Sequence, residues 1–400
     1  MLIPLLPAGV ACSGKADSGD PFVIGYVGDF SGDVGAYDRS GVAGARYEAA
    51  RLNAHGGIDG RAIEIITEDI AGDPQRSADA AANLVRDGAD VLLVPPLPEL
   101  ARGAVGFAAA AGVPALSVGG TIPTILEAGP GTTFLSAFGD NVQAAAAAEY
   151  AHDRNLRTAF TISSPQILDY SDTLPIYFAD AFTHLGGEVL GTVDITLDAG
   201  GYRMAAQVIA ALPAPPDVVY TATYPPNLAS LLVELRRVGF HGLVLTADGS
   251  ETAALFDAGD ALGEVVLTAH AYSSENRLSG LLFSPRSPSE KIAEFSDGFE
   301  RFHGSPPEIL SFAALGADAV DIVHAAVEAA DSTVAADIID AIGSLDHVNV
   351  TTGRVTFDGQ SGIPLKVVYL LRAEDGSFDL IKPIEPDWVP ARLPSSLGIG

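Results

Sequence analysis

The chain has 400 residues, 48% of them hydrophobic, and its 22 Lys and Arg residues against 51 Asp and Glu residues give a net charge of −29. This apolar content excludes a globally disordered chain, and the length suggests two or three domains with their own cores. The acidity argues against nucleic acid and anionic membrane surfaces as partners, because both would repel the chain.

The N-terminal segment contains the only cysteine, Cys12, so an intrachain disulfide is excluded. Cys12 stands between an apolar stretch and a small, polar, flexible one, and Gly9-Val10-Ala11-Cys12 resembles a bacterial lipobox, in which the cysteine becomes lipidated. We therefore predict a signal segment and tether over residues 1–20 and an extracytoplasmic protein held to the membrane only by a lipid. Gly9 stands where a Leu-type residue is usual. No basic residue precedes the apolar stretch, and a start codon placed too late would explain the missing basic residues. The alternative is a chance cysteine in a disordered tail.

The first ordered unit is a predicted strand, helix and strand. Phe22–Val27 is an apolar run rich in β-formers, and Gly28–Tyr37 is a glycine-containing loop. Small and apolar residues at helical spacing predict a helix over Ser40–Asn53, which the glycines at 56 and 57 end. With a second strand at Ile63–Thr67, the pattern predicts a right-handed parallel βαβ unit.

This unit resembles the start of the type I periplasmic binding proteins, in particular the branched-chain amino acid (Leu/Ile/Val)-binding family of ABC importers. The matching pieces are Gly25-Tyr26-Val27, Ser31-Gly32, Tyr37, the helix 41–53, the run from Gly56 to Arg61, Glu68-Asp69 and Asp73-Pro74. The resemblance continues, less tightly, to about Leu380. It implies two Rossmann-like α/β lobes joined by a three-segment hinge, with a ligand bound between them and no cofactor.

The rest of the chain alternates helical and strand patterns, which is typical of doubly wound α/β lobes. The first series adds predicted helices over 75–86 and 100–111 and strands over 91–94, 115–118 and 132–137. The second series adds helices over 142–152, 174–185, 202–212, 227–238 and 252–262 and strands over 158–163, 189–193, 218–221, 243–246 and 265–269. Helices over 288–302, 311–330 and 334–342 follow, then strands over 354–357 and 365–371, a turn at Asp375-Gly376 and an extended Pro-rich tail.

The resemblance also implies that the chain crosses between lobes near Gly139, Tyr272 and His347. The N-terminal lobe is then expected to contain residues 21–138 and 273–347. The C-terminal lobe would contain 139–272 and 348–382, and residues 383–400 would form the tail.

Catalytic patterns are not found. The eight histidines are scattered, with none at metal-ligand spacing, and no G-x-S-x-G elbow, P-loop or G-x-G-x-x-G occurs. The sequence therefore predicts neither an enzyme nor a metal site.

Candidate ligand-binding residues follow several predicted strands. Gly119-Gly120-Thr121 offers backbone N–H groups and a hydroxyl to an anion or another acceptor, although two glycines can also simply make a tight turn. Asp248 matches the family position whose carboxylate holds a ligand ammonium, and its alternative role is a helix N-cap. Tyr37, Tyr170 and Tyr224 match aromatic positions of the family, although a single tyrosine is more often a wall residue than a specific contact.

Two positions depart from the family. Glu99 falls where a small hydroxyl residue binds ligand carboxylate, and a glutamate there would repel a carboxylate unless it points to solvent. Ala317 stands where Tyr is frequent, which suggests a roomier pocket. Both argue against leucine-like specificity.

We expect from these observations a monomeric solute-binding protein that closes on a small polar ligand (an amino acid, an amide or a related compound) and delivers it to an ABC permease. A ligand sensor that signals to a regulator is the alternative, and nothing in the sequence separates the two.

Overall fold

The computed structural model describes residues 19–272 and 289–392. Its first sheet has five parallel strands in the order β2-β1-β3-β4-β5, with β1 buried along its whole length. The strands are β1 (Phe22–Gly28), β2 (Ile63–Asp69), β3 (Val91–Val94), β4 (Ala115–Ser117) and β5 (Thr133–Leu135), and the helices between them are α1 (Gly35–Asn53), α2 (Ser77–Arg86) and α3 (Pro98–Ala111).

The second sheet repeats this topology. Its five parallel strands run in the order β7-β6-β8-β9-β10, the same order as in the first sheet. They are β6 (Thr158–Ser163), β7 (Glu188–Asp194), β8 (Val218–Thr221), β9 (Leu243–Thr246) and β10 (Val265–Ala269), and the helices are α4 (Asp140–Asp153), α5 (Leu168–His184), α6 (Ala199–Ala210) and α7 (Asn227–Arg237). The predicted α/β fold with two doubly wound lobes is confirmed.

Beyond residue 289 the chain returns to the first lobe. Helices α8 (Ser289–His303), α9 (Leu310–Ala330) and α10 (Ala335–Ser344) are followed by a two-stranded ribbon of β11 (Val348–Val350) and β12 (Gly353–Val355). Ribbon residues Val350 and Val355 are buried in the same core as Phe22 of β1. We expected residues from 348 onwards to belong to the C-terminal lobe, and that boundary stays a prediction. The ribbon itself packs with the first sheet.

The contact between α1 and α9 depends on glycine. A Cβ on Gly44 would lie 1.7 Å from the carbonyl oxygen of Ala313, and one on Gly316 would lie 1.9 Å from that of Gly41. The two helix backbones therefore touch, which only residues without a side chain allow. Helix α9 is also the one described helix long and apolar enough to cross a membrane, but 83% of that stretch is buried inside the protein, as in a core helix.

The chain ends in a hairpin on the second sheet. Strand β13 (Val368–Glu374) pairs antiparallel with β10, and β14 (Ser377–Ile384) pairs antiparallel with β13. The predicted turn at Asp375-Gly376 joins them, with positive φ at both residues, as a tight hairpin turn requires. The sequence prediction had the turn but not β14: it placed an extended, Pro-rich tail after Ile381, whereas the strand begins at Ser377 and continues to Ile384.

Three predicted helices differ most from the observed ones. Helix α1 begins at Gly35 rather than Ser40, since its N-cap residue Val34 makes no side-chain capping bond and leaves no signal. Helix α5 begins at Leu168 rather than Leu174 and contains Pro175. The segment expected as a helix over 252–262 is a 3₁₀ helix, Ala253–Ala261.

A buried acid in the first turn of α1 should make stability depend on pH. Asp38 accepts hydrogen bonds from the Tyr26 hydroxyl (3.1 Å) and the backbone N–H of Asp29 (2.9 Å), and burial raises the pKa of its carboxyl from 3.8 to about 7. Between about pH 4 and 7 the folded state thus holds a proton that the unfolded state has lost. The free energy of unfolding should therefore fall as pH rises through this range, by about 1.4 kcal/mol per pH unit for this group.

Urea unfolding at pH 5, 6, 7 and 8 measures this slope. Burial also raises the pKa of Glu251 to about 7, so Glu251 contributes to the pH dependence as well. The quantity to compare is therefore the slope of unfolding free energy against pH in the wild type and in Asp38→Asn. The variant should show a shallower loss of stability with pH. Equal slopes would mean that Asp38 is ionised in the folded protein at these pH values.

Candidate functional site

A cavity lies where the carboxyl ends of the parallel strands of both sheets face each other. Its volume is about 20 Å³, room for roughly one water molecule. The first lobe contributes residues after β1, β3 and β4, the second contributes residues after β6, β8 and β9, and the start of α9 completes the wall. The lining residues are Tyr37, Pro96, Leu97, Gly119, Thr121, Ile122, Tyr170, Tyr224, Asp248, Gly249 and Phe312.

Four aromatic rings surround this cavity. The rings of Tyr170 and Tyr224 stack with centroids 4.8 Å apart and an interplanar angle of 12°. Tyr37 lies 6.3 Å from Tyr224 and 4.6 Å from Phe312, tilted by about 50° to each. The aromatic surface therefore runs continuously from α5 in the second lobe to α1 and α9.

Asp248, at the start of a one-turn 3₁₀ helix after β9, provides the one ionisable carboxylate among the described lining residues. Its Oδ1 accepts hydrogen bonds from the Gln143 side-chain amide (2.9 Å) and the Tyr170 hydroxyl (2.8 Å), and its Oδ2 lies 3.1 Å from Nε2 of His270. The Oε1 of Gln143 accepts in turn from the Thr268 hydroxyl at 2.6 Å. Asp248 is thus held rigidly from β10, α4 and α5.

The electrostatics favour an ionised Asp248 beside a neutral His270. Burial tends to raise the pKa of Asp248, but the hydrogen bonds from His270, Gln143 and Tyr170 outweigh it and lower the pKa below 3.8. Burial lowers the pKa of His270 below 6.5 despite the neighbouring carboxylate. At neutral pH this leaves one negative charge at the cavity wall.

A hydrogen bond joins the two lobes across the cavity. The Tyr37 hydroxyl, from the first turn of α1, donates to the carbonyl oxygen of Gly249 at 3.0 Å. Gly249 has no room for a side chain, because a Cβ would lie 2.2 Å from the Tyr224 ring. The described conformation is therefore one in which the lobes are in contact at the site.

The turn after β4 approaches α9 closely. Gly119 has φ +83°, and a Cβ there would lie 2.4 Å from the Phe312 ring. Within the described residues, the Thr121 hydroxyl makes no hydrogen bond to the protein, and Thr121 lines the cavity. The turn thus presents a free hydroxyl to the space between the lobes.

Six of the eight candidate residues come together around this cavity: Tyr37, Gly119, Thr121, Tyr170, Tyr224 and Asp248. Gly120 is buried behind the wall, where a Cβ would lie 2.3 Å from the Ser117 hydroxyl. Glu99 is not in a loop but in the first turn of α3, with an exposed side chain outside the lining. Tyr170 lies in α5 rather than in a loop.

Sequence reasoning missed several residues of the site. Phe312 lines the cavity, whereas Ala317, one and a half turns later in α9, is buried in the core. Gln143 and His270 had no sequence signal, because they act through Asp248 from distant parts of the chain. Among the described residues, no cluster of His, Cys, Asp and Glu could hold a metal ion.

Comparison with known proteins agrees with this architecture. The family model "periplasmic binding protein" matches residues 21–377. The Leu/Ile/Val-binding protein BraC3 of Rhizobium johnstonii is 24% identical over 343 residues, which is 85% of this chain and 88% of that protein.

Solved structures show the same fold. The leucine-binding protein LivK of Thermotoga maritima superposes with a TM-score of 0.75 at 23% identity, covering 92% of this chain and 99% of that one. A solute-binding protein of R. palustris in complex with benzoate superposes with a TM-score of 0.70 at 18% identity, covering 93% and 99%. The family match spans almost the whole described chain, and the members of the family are solute-binding proteins rather than enzymes. The chain therefore belongs to the periplasmic binding protein family, with the type I, branched-chain amino acid-binding members as its relatives.

Proposed function

We propose that this protein is the solute-binding component of an ABC importer, which captures a small polar ligand in the cleft between its lobes and delivers it to a permease. The observation that supports this most is the cavity itself, whose wall is shared between both lobes and contains a rigidly held, ionised Asp248. Binding sites of this kind combine apolar walls with a few well-placed polar groups.

The relatives leave the ligand class open. One related protein is named for leucine binding and another was solved with benzoate, so the same fold takes both zwitterionic and anionic solutes. Among the residues that the structure describes, Asp248 faces the cavity without any Lys or Arg in the lining. We therefore propose a neutral or cation-bearing ligand that contacts Asp248.

Mass spectrometry of solutes that co-purify with the protein, followed by calorimetric titration of each, tests this function. Saturable binding of one small solute per protein is the expected result. A protein that carries no solute and binds none of a panel of amino acids, amides and aromatic carboxylates would contradict the proposal.

Ligand binding should compact the protein. A cavity of about 20 Å³ is smaller than any amino acid, so the lobes must separate for entry and close around the ligand afterwards. A ligand that touches both lobes binds the closed state better and shifts the equilibrium towards it. Small-angle scattering should therefore show a smaller radius of gyration on addition of the ligand.

Tyr37→Phe provides a matched variant for this prediction. It removes the hydrogen bond to Gly249 and keeps the ring, so the closed state loses about 0.5–1.5 kcal/mol relative to the open one. We expect affinity to fall by up to about tenfold while the protein still compacts at saturation. Binding that saturates without compaction would mean a site on one lobe and would disprove the closing mechanism.

We also propose that Cys12, which lies outside the described residues, carries a diacylglyceryl group in the native host. Two or more acyl chains would hold the protein at the membrane, where one chain is marginal. Intact-mass analysis of the membrane-extracted protein should show a mature chain that begins at a modified Cys12. A different first residue, or an unmodified thiol, would refute the anchor.

A further inference from the structure

The lining of the cleft is electrostatically one-sided. Asp248 is the one charged residue among the described residues of the lining. A second buried carboxylate, that of Asp140, lies behind it and accepts a hydrogen bond from the same Gln143 amide at 2.9 Å. The pKa of the Tyr224 hydroxyl reflects this field: burial raises it most, and Tyr37, Asp248, Asp140 and Glu99 all raise it further. The wall thus attracts a positive charge.

The acceptors around that charge are largely occupied. Both lone pairs of Asp248 Oδ1 are used by Gln143 and Tyr170, and Oδ2 is within hydrogen-bond distance of His270. The Gly249 carbonyl accepts from the Tyr37 hydroxyl, and the Tyr170 hydroxyl accepts from the Gly249 N–H at 2.9 Å. One lone pair of Oδ2 remains, so Asp248 could accept at most one of the three N–H donors of a primary ammonium without giving up a bond it already makes.

The aromatic rings can hold a cation without displacing the hydrogen bonds of Asp248, whose partners Gln143, Tyr170 and His270 all belong to the second lobe. The hydroxyls of Tyr37 and Tyr170 are fixed by the bonds just described, so these rings present apolar surface rather than free polar groups to the cavity. Together with Tyr224 and Phe312, they form a continuous aromatic wall next to the carboxylate. Aromatic faces beside a negative charge attract cations that lack N–H donors.

We propose that the cleft selects a small solute with an N-methylated, quaternary ammonium group, held by the aromatic wall and the charge of Asp248 rather than by hydrogen bonds. This inference rests on the proposed function, because it names the ligand class of the same cleft. The free hydroxyl of Thr121 lies in the same lining and is available to a polar group at the other end of the solute.

Calorimetric titration with matched probes tests the proposal on the wild-type protein. The first pair is glycine and N,N,N-trimethylglycine, and the second is leucine and N,N,N-trimethyl-leucine. In 3,3-dimethylbutanoate, an uncharged tert-butyl group replaces the trimethylammonium group of trimethylglycine, so this isostere separates the effect of charge from that of shape. We expect at least one trimethylated probe to bind at least tenfold more tightly than its parent amine. If trimethylglycine is the probe that does so, it should also bind at least tenfold more tightly than 3,3-dimethylbutanoate.

Two variants test the aromatic wall. Phe312→Leu and Tyr224→Leu should each weaken binding of the trimethylated probe at least fivefold, whereas Phe302→Leu, at a half-exposed position of α8, should leave it unchanged. Thermal unfolding shows whether each variant is folded. If a variant does not fold, the titration of the wild-type protein with the matched probes still tests the proposal.

Parent amines that bind as tightly as their trimethylated forms would overturn the inference and leave the proposed function intact. The same conclusion would follow if 3,3-dimethylbutanoate bound as tightly as trimethylglycine. Failure of both trimethylated probes would overturn it as well. In that case isoleucine, valine, benzoate and the co-purified solute are titrated too, and binding of any of them preserves the solute-binding function, whereas binding of none would reject both.

Discussion

Replacing Asp248 by Asn should weaken ligand binding at least tenfold. The carboxylate is buried, its pKa is held below 3.8, and none of the described residues lining the cavity is basic, so its negative charge is available to a ligand cation. Loss of one partner of a buried charge pair typically costs about 2–5 kcal/mol of binding, and 1.4 kcal/mol corresponds to a factor of ten. Calorimetry with the co-purified solute, or with the tightest probe of the titration series, measures this loss.

The substitution also perturbs the protein, so it requires a matched control. The introduced amide would turn its NH₂ group towards the donors of Gln143, Tyr170 or His270, which should lower the melting temperature. Asp217 provides the comparison: its carboxylate accepts hydrogen bonds from the backbone N–H groups of Arg157 and Thr158, at 2.8 and 2.9 Å, on the surface of the same lobe.

Asp217→Asn should therefore lower stability while ligand affinity stays at the wild-type value. Unchanged affinity in Asp248→Asn would mean that this carboxylate only caps the turn and that the pocket lies elsewhere. Tight binding of a simple dicarboxylate would also contradict the charge argument, because Asp248 would repel it.

The local features of the fold were predictable wherever one segment contains its own signal. Strand β1 is a short apolar run, and the hairpin turn at Asp375-Gly376 needs positive φ, which Asp and Gly tolerate. The start of α1 was not predictable, since its N-cap residue Val34 makes no capping bond and the helix is fixed instead by its contact with α9.

The candidate site divides in the same way. Asp248 and Tyr224 follow strand ends and match family positions, so position and residue type together pointed to them. Gln143, His270 and Phe312 reach the site from α4, the end of β10 and α9, and only the tertiary structure brings them within contact of Asp248 or Tyr37. Glu99 was placed by alignment alone, and the first turn of α3 directs it to solvent.

The second large effect is expected from a buried ion pair beside the connections between the lobes. Lys366, which precedes β13, donates to Oδ2 of Asp318 in α9 at 2.6 Å and to the carbonyl oxygen of Ser136, just after β5, at 2.7 Å. The side chains of Lys366 and Asp318 are 1% and 0% exposed. The ammonium thus ties together the segment that leaves the first sheet, the core helix and the segment that enters the last hairpin.

Lys366→Met should destabilise the protein by about 3–5 kcal/mol, because it leaves the Asp318 carboxylate buried without its cation. The double variant Lys366→Met/Asp318→Asn should recover at least half of this loss, since the amide oxygen can still accept from the Thr352 N–H, which donates to Asp318 at 2.9 Å. Urea unfolding of the single and double variants measures both quantities.

Lys382 and Asp153 form an ion pair with the same 2.6 Å separation, but their side chains are 38% and 47% exposed. Water screens this pair and the side chains lose conformational freedom in making it, so Lys382→Met should cost at most about 1 kcal/mol. Because the two ion pairs have the same separation, comparison of the two lysine variants measures the effect of burial on the stability loss. Equal losses, or a double variant no more stable than Lys366→Met, would show that the Asp318 charge is not what makes Lys366 necessary.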